Sequence, residues 1–319
     1  MSSTGPTIAQ VGEFPLIASL VRDLPSSPAI SVGPGDDGAV FLVDGSAVVS
    51  TDVLVEGVHF RRSWSEAEDV GRKSVAVNVA DIEAMGAVPV ALVVGLSAPG
   101  DLPASWAREC MTGMREESAL AGVSVVGGDT TGGPVVTISI TVIGQTAGLA
   151  PVRRDGAVPG DVVAIRGRLG WAAAGLVVLG RGFRSPRAVV DAQRCPEVAY
   201  GAGRQAALAG AHAMIDVSDG LVADLGHIAD ASGFAIDIDT ARLDVAEPIV
   251  TVGMATGLDP MLWVLGGGED HALAATFAPG TVPDDWQVIG RVLDPQDAPE
   301  PTVLVDGQPW EHPGGWTHF

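Results

Sequence analysis

Residues 33–60 read GPGDDGAVFLVDGSAVVSTDVLVEGVHF, and the organisation of the whole chain follows from this stretch. Asp36 and Asp37 lie in a glycine-rich turn. A short apolar run, 47–49, ends in Ser50, Thr51 and Asp52, with Glu56 and His59 close behind. Oxygen-bearing side chains are gathered where strands end. Adjacent carboxylates beside glycines suit a site at which oxygens close around a hard cation such as Mg2+. Taken alone, GDDG reads first as an ordinary turn between strands.

Repetition separates the two readings. Further acidic loops are expected at NVADIEAMGA (78–87), GGDTTGGP (127–134), IDVSDGLVADLG (215–226) and GGGED (266–270). Each sets carboxylates or hydroxyls beside glycine at the edge of an apolar segment, where a buried charge is costly unless something positive meets it. Positive side chains are scarce: seventeen arginines and one lysine, Lys73.

Working outward, Phe14, Ile17, Leu20, Val21 and Leu24 predict a short amphipathic helix within 12–24. Beyond residue 60, Val75, Val79, Ile82 and Met85 mark one apolar face of a helix with Ser65 as its N-cap. Ser74, Asn78 and Asp81 form a polar stripe on a second face, and among so many Val and Ala residues that stripe is expected to line a polar cleft. Strands are expected at 90–96, 123–126 and 135–144, with a helix over 103–120. This alternation makes residues 1–147 an α/β domain.

The glycine-, proline- and charge-rich segment 148–161 opens a second domain, 148–319. Its Arg153 and Arg154 are either solvated charges or, in a chain so poor in cations, a phosphate clamp. Strands are expected at 161–166, 214–217 and 272–277, helices at 171–179 and 198–209, and another helix from Leu221 to a stop at Gly233. Asp216, Ser218 and Asp219 then stand at a strand-to-helix junction, where free N–H groups favour anions and carboxylates can hold a bridging cation.

Composition narrows the function. With 319 residues, 47% of them hydrophobic, the chain is long enough for two cored domains. A net charge of -21 leaves no basic stripe for nucleic acid or an anionic membrane, so a bound phosphate is expected to arrive with metal. Cys110 and Cys195 are too few for a disulfide framework or a cysteine zinc site and read as buried small hydrophobes in a reducing compartment. The first ten residues lack the pattern of a signal peptide, and the most apolar run, 87–96, is too short to span a bilayer; a cytoplasmic protein is expected. No Walker A loop, protein-kinase set, GxSxG or histidine metal spacing occurs. Magnesium-dependent phosphate chemistry, with metal in the place of lysine, remains.

The motifs GDDGAV, STDVLVEGVHF, KSVAVNVADIEAMGA, GGDTTGGP, IDVSDGLVADLGHIADASG and GGGED, in this order over nearly the whole chain, resemble the thiamine-monophosphate kinases of the aminoimidazole ribonucleotide synthetase superfamily. The resemblance implies a two-domain α/β (α+β) fold of mixed sheets flanked by helices. It implies ATP- and Mg2+-dependent phosphorylation of thiamine monophosphate to thiamine diphosphate, the last step of that cofactor's biosynthesis. It further implies a homodimer formed through the N-terminal sheet, with ATP and several Mg2+ ions bound against the C-terminal domain.

Carried over by motif, Asp37, Ser50, Thr51, Asp52, Asp81, Asp129, Asp216 and Asp219 would be magnesium ligands. Gly128, Asp129, Arg154 and Ser218 would contact ATP, and His59, Glu269 and Trp316 would form the thiamine monophosphate site. Two other readings stand beside this one: another ATP-using enzyme of the superfamily, and a non-catalytic nucleotide or divalent-metal sensor. The chain lacks the N-terminal reactive cysteine of selenophosphate synthetase-like proteins and the terminal cysteine of hydrogenase-maturation relatives.

Overall fold

The computed structural model describes residues 5–35 and 38–312. The chain divides into two compact units, 1–82 with 88–148, and 83–87 with 149–319.

In the first unit, α1 (Ile8–Val11) and α2 (Glu13–Leu20) lead into a small pair, β1 (Ile30–Val32) and β2 (Val40–Phe41). There follow β3 (Ala47–Val55), α3 (Ala67–Ala84), β4 (Val88–Ala98), α4 (Ala104–Ala121), β5 (Ser124–Gly132) and β6 (Thr137–Gln145). The main sheet has the order β3-β6-β4-β5, with β4 and β5 parallel and the other pairs antiparallel. β3 and β5 are thus its two edges.

Period-two patterning gives this sheet one inner and one outer face. In β6, Ile138, Ile140 and Val142 are completely buried, while Ser139 and Thr141 between them are partly exposed. Each such aliphatic side chain contributes about 1.5–3 kcal/mol. Directly across the ladder Leu54 is buried, whereas Val49 and Val53 are 61% and 45% exposed on the other face. The inner face packs on α3, where Arg72 in turn pairs with the buried Glu117 of α4 at 2.9 Å.

Two local expectations are corrected here. Ser65 is not a cap: its N–H closes a turn onto the Arg61 carbonyl, and α3 begins at Ala67, with Asp69 reaching back to the Glu66 N–H at 3.0 Å. GGDTTGGP is not a loop throughout, because β5 runs on through Gly132 along β4. The parallel ladder satisfies backbone groups that glycine would otherwise leave to solvent.

The second unit contains β7 (Val162–Arg166), α5 (Trp171–Gly180), α6 (Arg187–Arg194), α7 (Ala202–Leu208), β8 (Ala213–Val217) and α8 (Leu221–Ser232). It continues with β9 (Ile236–Ile238), α9 (Glu247–Thr256), α10 (Pro260–Gly266), β10 (Ala272–Phe277), β11 (Gln287–Val292), β12 (Val303–Val305) and β13 (Gln308–Pro309). Its seven strands run in the order β13-β12-β9-β11-β7-β10-β8, antiparallel except for β12 beside β9.

Both faces of this sheet are covered. Ile215 and Val217 pack with Leu221 and Leu225 of α8 and Val264 of α10, while Met214, Leu273, Phe277 and Trp286 pack with Ala202 and Ala206 of α7. Two-sided burial is why β8 and β10 are buried at every position, with Asp216 and Thr276 their only polar residues. α8 stops at Gly233 in the left-handed region, as expected. Helix α7 is shorter than 198–209, and Cys195 is partly exposed, so Cys110 alone is the buried thiol. No described helix is long and apolar enough to cross a membrane.

Candidate functional site

In the first unit, β3 and α3 bring one set of oxygens together. Ser50 Oγ donates to Asp81 Oδ2 at 2.5 Å, and the Asp52 N–H donates to Asn78 Oδ1 at 3.0 Å. The stripe on α3 therefore faces β3, and only its end is accessible. Ser74 and Asn78 are completely buried and bonded along their own helix, Ser74 Oγ to the Gly71 carbonyl and Asn78 Nδ2 to the Ser74 carbonyl. Asp81 alone of the three is partly exposed, beside Ser50 and Asp52. Thr51 points to the opposite face, its hydroxyl donating to the Ile140 carbonyl and accepting from Thr141.

His59 follows in the turn after β3. Its Nδ1 accepts the Val55 N–H at 3.0 Å, which leaves Nε2 as the protonated nitrogen of the neutral ring. The buried Lys73 ammonium donates to the His59 carbonyl at 3.2 Å, fixing this turn.

Gly128 and Asp129 are exposed on β5. A side chain at Gly128 would put its Cβ 2.1 Å from the Val94 carbonyl, so only glycine lets the two strands run this close. The ladders align Asp52 with Ile140, Ile140 with Val94, and Val94 with Gly128. Asp52 and Asp129 consequently lie at nearly the same height on opposite edges, three strand spacings or about 14 Å apart. Next to Gly128 and Asp129 opens a narrow apolar pocket, lined mainly by Leu20, Val21, Leu96, Met111 and Met114. Cys110 stands in the same wall, and burial pushes its thiol up to about 12.

The second unit gathers another set where β8 meets α8. Asp216, buried on β8, receives a hydrogen bond at Oδ2 from His271 Nδ1 at 3.1 Å. Ser218 and Asp219 follow, partly exposed. The junction's N–H groups are not free: those of Asp219 and Gly220 both donate to Asp224 Oδ2, at 2.9 and 3.0 Å. Burial pushes the Asp224 carboxyl up to about 7, against the pull of those two bonds and with the Asp216 and Asp219 charges adding to the rise.

The GGGED segment docks on the same junction. Gly220 has φ +131°, and a Cβ there would meet the Gly266 backbone at 2.8 Å. The Glu269 N–H donates to the Ser218 carbonyl at 2.8 Å. Asp270 is buried and accepts the Gly170 and Ala172 N–H groups, at 2.5 and 2.8 Å, at the start of α5. Desolvation carries its carboxyl up to about 7, although both N–H bonds, His271 and Arg168 oppose the rise.

Arg154 does not join this group. Its carbonyl accepts from Ser232 Oγ at the far end of α8, a helix length or about 18 Å from Ser218. Arg153 is engaged by Asp155. Asp37 and Trp316 lie outside the described residues.

Asp224 and Asp270 lie in the acidic segments 215–226 and 266–270, but neither they nor His271 carried an assigned role in the sequence reading. For Asp224 a signal existed: a carboxylate in the first turn of an apolar helix, where it can reach back to the N-terminal N–H groups. The donors at the candidate ligand positions are oxygens, the chemistry that suits Mg2+. Among the described residues no three His, Cys, Asp or Glu side chains converge as a ready cation cage.

Residues 35–146 match the family model for the AIR synthase related protein N-terminal domain, and residues 158–298 match the corresponding C-terminal domain. The thiamine-monophosphate kinase of Mycobacterium tuberculosis is 47% identical over 321 residues, spanning 100% of this chain and 95% of that protein. A solved structure of AaThiL complexed with AMPPCP and TMP superposes with a TM-score of 0.81 at 33% identity, over 99% of this chain and 100% of that one. Hydrogenase maturation protein HypE in complex with ATP gives 0.71 at 22% identity, over 85% and 84% of the two chains, a likeness of fold alone.

Proposed function

The chain belongs to the thiamine-monophosphate kinase family of the AIR synthase-related proteins, and we propose that it acts as one, transferring the γ-phosphate of ATP to thiamine monophosphate to give thiamine diphosphate. The observation that carries this reading is the 47% identity to a thiamine-monophosphate kinase along the full chain. The oxygen-rich junctions at β3/α3 and β8/α8 fit the chemistry.

The acceptor is a phosphate oxygen, ionised at neutral pH, so a strong general base is unnecessary. The obstacle is repulsion: two phosphate groups at ~4 Å oppose each other by several kcal/mol at an intermediate dielectric. Mg2+, when bound, neutralises that charge and aligns the phosphates. Ser50, Asp52, Asp81 and Asp129 of the first unit are proposed as ligands of such ions, and so, separately, are Asp216 and Asp219 of the second. Thr51 would contribute through its backbone, since its hydroxyl is turned away.

Gly128 and Asp129 hold the nucleotide, with the adjoining apolar pocket taking its base. Ser218 also contacts ATP, and Arg154 reaches a different part of it. His59 and Glu269 bind thiamine monophosphate, with Trp316 assigned to the same site by the sequence motif. Transfer is direct and in line, positioning supplying most of the rate.

We further propose a cytoplasmic homodimer. Asp52 and Asp129 lie at opposite edges of one sheet, too far apart for one cation, yet a second copy whose β5 lies beside β3 would join them. The exposed Val49 and Val53 give that sheet an apolar face to cover. This predicts complementation. Asp52→Asn and Asp129→Asn proteins, each inactive alone, should recover about a quarter of wild-type activity when unfolded, mixed and refolded, because half the dimers are mixed and each mixed dimer keeps one intact site. No recovery would place both aspartates in one protomer's site.

The reaction is tested with ATP, Mg2+ and thiamine monophosphate, with EDTA and free thiamine as controls. Equal amounts of thiamine diphosphate and ADP, lost with EDTA, are expected. ATP binding without that product would return the chain to another superfamily substrate or to a sensor.

A further inference from the structure

Three consecutive side chains after the glycine run turn in three directions. Glu269 and His271 have φ of +70° and +51°, a region that residues with a Cβ seldom occupy. Between them Asp270 is clamped to the first turn of α5 by two N–H bonds. A strained backbone of this kind persists only where its surroundings impose it. Here the result is that the His271 ring is buried against Asp216.

The ring is anchored on the strand that carries its partner. The His271 N–H donates to the Val217 carbonyl at 2.9 Å, and Nδ1 stands 3.1 Å from Asp216 Oδ2. Both side chains are nearly closed to solvent, 8% and 7% exposed. An ionised carboxylate only accepts hydrogen bonds, so Nδ1 carries the proton. Among the described residues, Asp216 Oδ1 has no hydrogen-bond partner.

The geometry points to His271 as a positioning residue for Asp216: its Nδ1–H holds Oδ2, fixes the rotation of the carboxylate, and leaves Oδ1 as the oxygen that would take Mg2+. This rests on the proposed reading of Asp216 as a magnesium ligand. Magnesium tolerates little departure from octahedral geometry, so the orientation of a ligand carboxylate bears directly on affinity. His271 thus acts through Asp216.

The test compares two amides in the full-length protein. In His271→Asn the side-chain N–H falls near the position of Nδ1; in His271→Gln it falls one methylene farther out, near Nε2. Mn2+ binding in the presence of a non-hydrolysable ATP analogue is measured by electron paramagnetic resonance, and thermal melting is recorded for both variants. His271→Gln is expected to weaken Mn2+ binding about 10- to 100-fold, the range typical for loss of an outer partner of a metal ligand. His271→Asn is expected to recover most of that loss at a similar melting temperature.

Equal Mn2+ affinity in wild type and His271→Gln would overturn the inference. So would a loss in both variants that tracks their melting temperatures, since that is what a purely structural histidine predicts. Thiamine diphosphate formation by wild type is assayed in parallel. Its absence would count against the proposed function, whereas the comparison of the two amides speaks to His271.

Discussion

Asp270→Asn tests whether burial or hydrogen bonding governs the carboxylate at the start of α5. In the wild type both oxygens accept an N–H, from Gly170 and from Ala172. Asparagine offers one carbonyl oxygen and one NH2, so one of those N–H groups loses its acceptor, at about 1–3 kcal/mol. The pH dependence is more discriminating. Burial raises the folded-state pKa from 3.8 to about 7, so between those values the native protein holds a proton that the unfolded chain has released. The stability associated with that proton is fully present below about pH 4 and is lost as pH rises through 7, at about 1.4 kcal/mol per pH unit.

From pH 5 to pH 8 the wild type should therefore lose about 3 kcal/mol through this group, and the variant nothing. Urea unfolding of both proteins at pH 5, 6, 7 and 8 in the presence of a chelator, followed by tryptophan fluorescence, measures the difference; Trp171 in α5 is a nearby reporter. The pH dependence of Asp224 is common to both proteins and cancels. Wild type should be the more stable at pH 5, with the gap closing or reversing by pH 8. A gap that stays constant, or widens with pH, would refute the reasoning and mean that the N–H groups and Arg168 outweigh desolvation.

Asp129→Asn and Asp219→Asn should each abolish thiamine diphosphate formation while leaving circular dichroism and melting temperature near those of wild type; turnover at the wild-type rate in either variant would show that the site is misplaced. Gly128→Ala should disrupt the ladder between β4 and β5 and weaken ATP binding at least tenfold by calorimetry, because its Cβ would meet the Val94 carbonyl at 2.1 Å. Cys110 should resist a thiol reagent in the native protein far longer than Cys195, as burial keeps its thiol protonated up to about 12. Mass spectrometry after incubation with ATP should find no phosphorylated chain that goes on to yield product, as direct transfer requires.

Much of this arrangement could be read from residue order. Strand β6 declared itself through β-branched alternation, α8 through its apolar spacing and Gly233, and the place of Asp216, Ser218 and Asp219 through the strand-to-helix junction they occupy. Local chemistry was misread where glycine dominates: GGDTTG looked like a loop, although a neighbouring strand supplies the pairing that glycine cannot secure by itself. The stripe Ser74, Asn78, Asp81 was located correctly but assigned the wrong neighbour, since helical periodicity says which residues share a face and not what that face meets. Sheet order has no local signature either, and with it went the separation of Asp52 from Asp129 and the distance of Arg154 from Ser218. His271 was invisible for a further reason: its role depends on a left-handed backbone angle that nothing in the sequence GGGEDH announces.

The edges of the four-stranded sheet also matter to the nascent chain. β3 and β5 end the sheet on either side, and edge backbone groups not met by a side chain, as the Asp52 N–H is met by Asn78, offer a template on which an extended segment can add. Asp52 sits in the middle of one edge and Asp129 in the middle of the other, so an indiscriminate strand docking at either one meets a negative charge. Each aspartate is therefore expected to disfavour aggregation while the chain is folding. Neutralising them carries a second liability, a loss of soluble yield during expression that is independent of turnover.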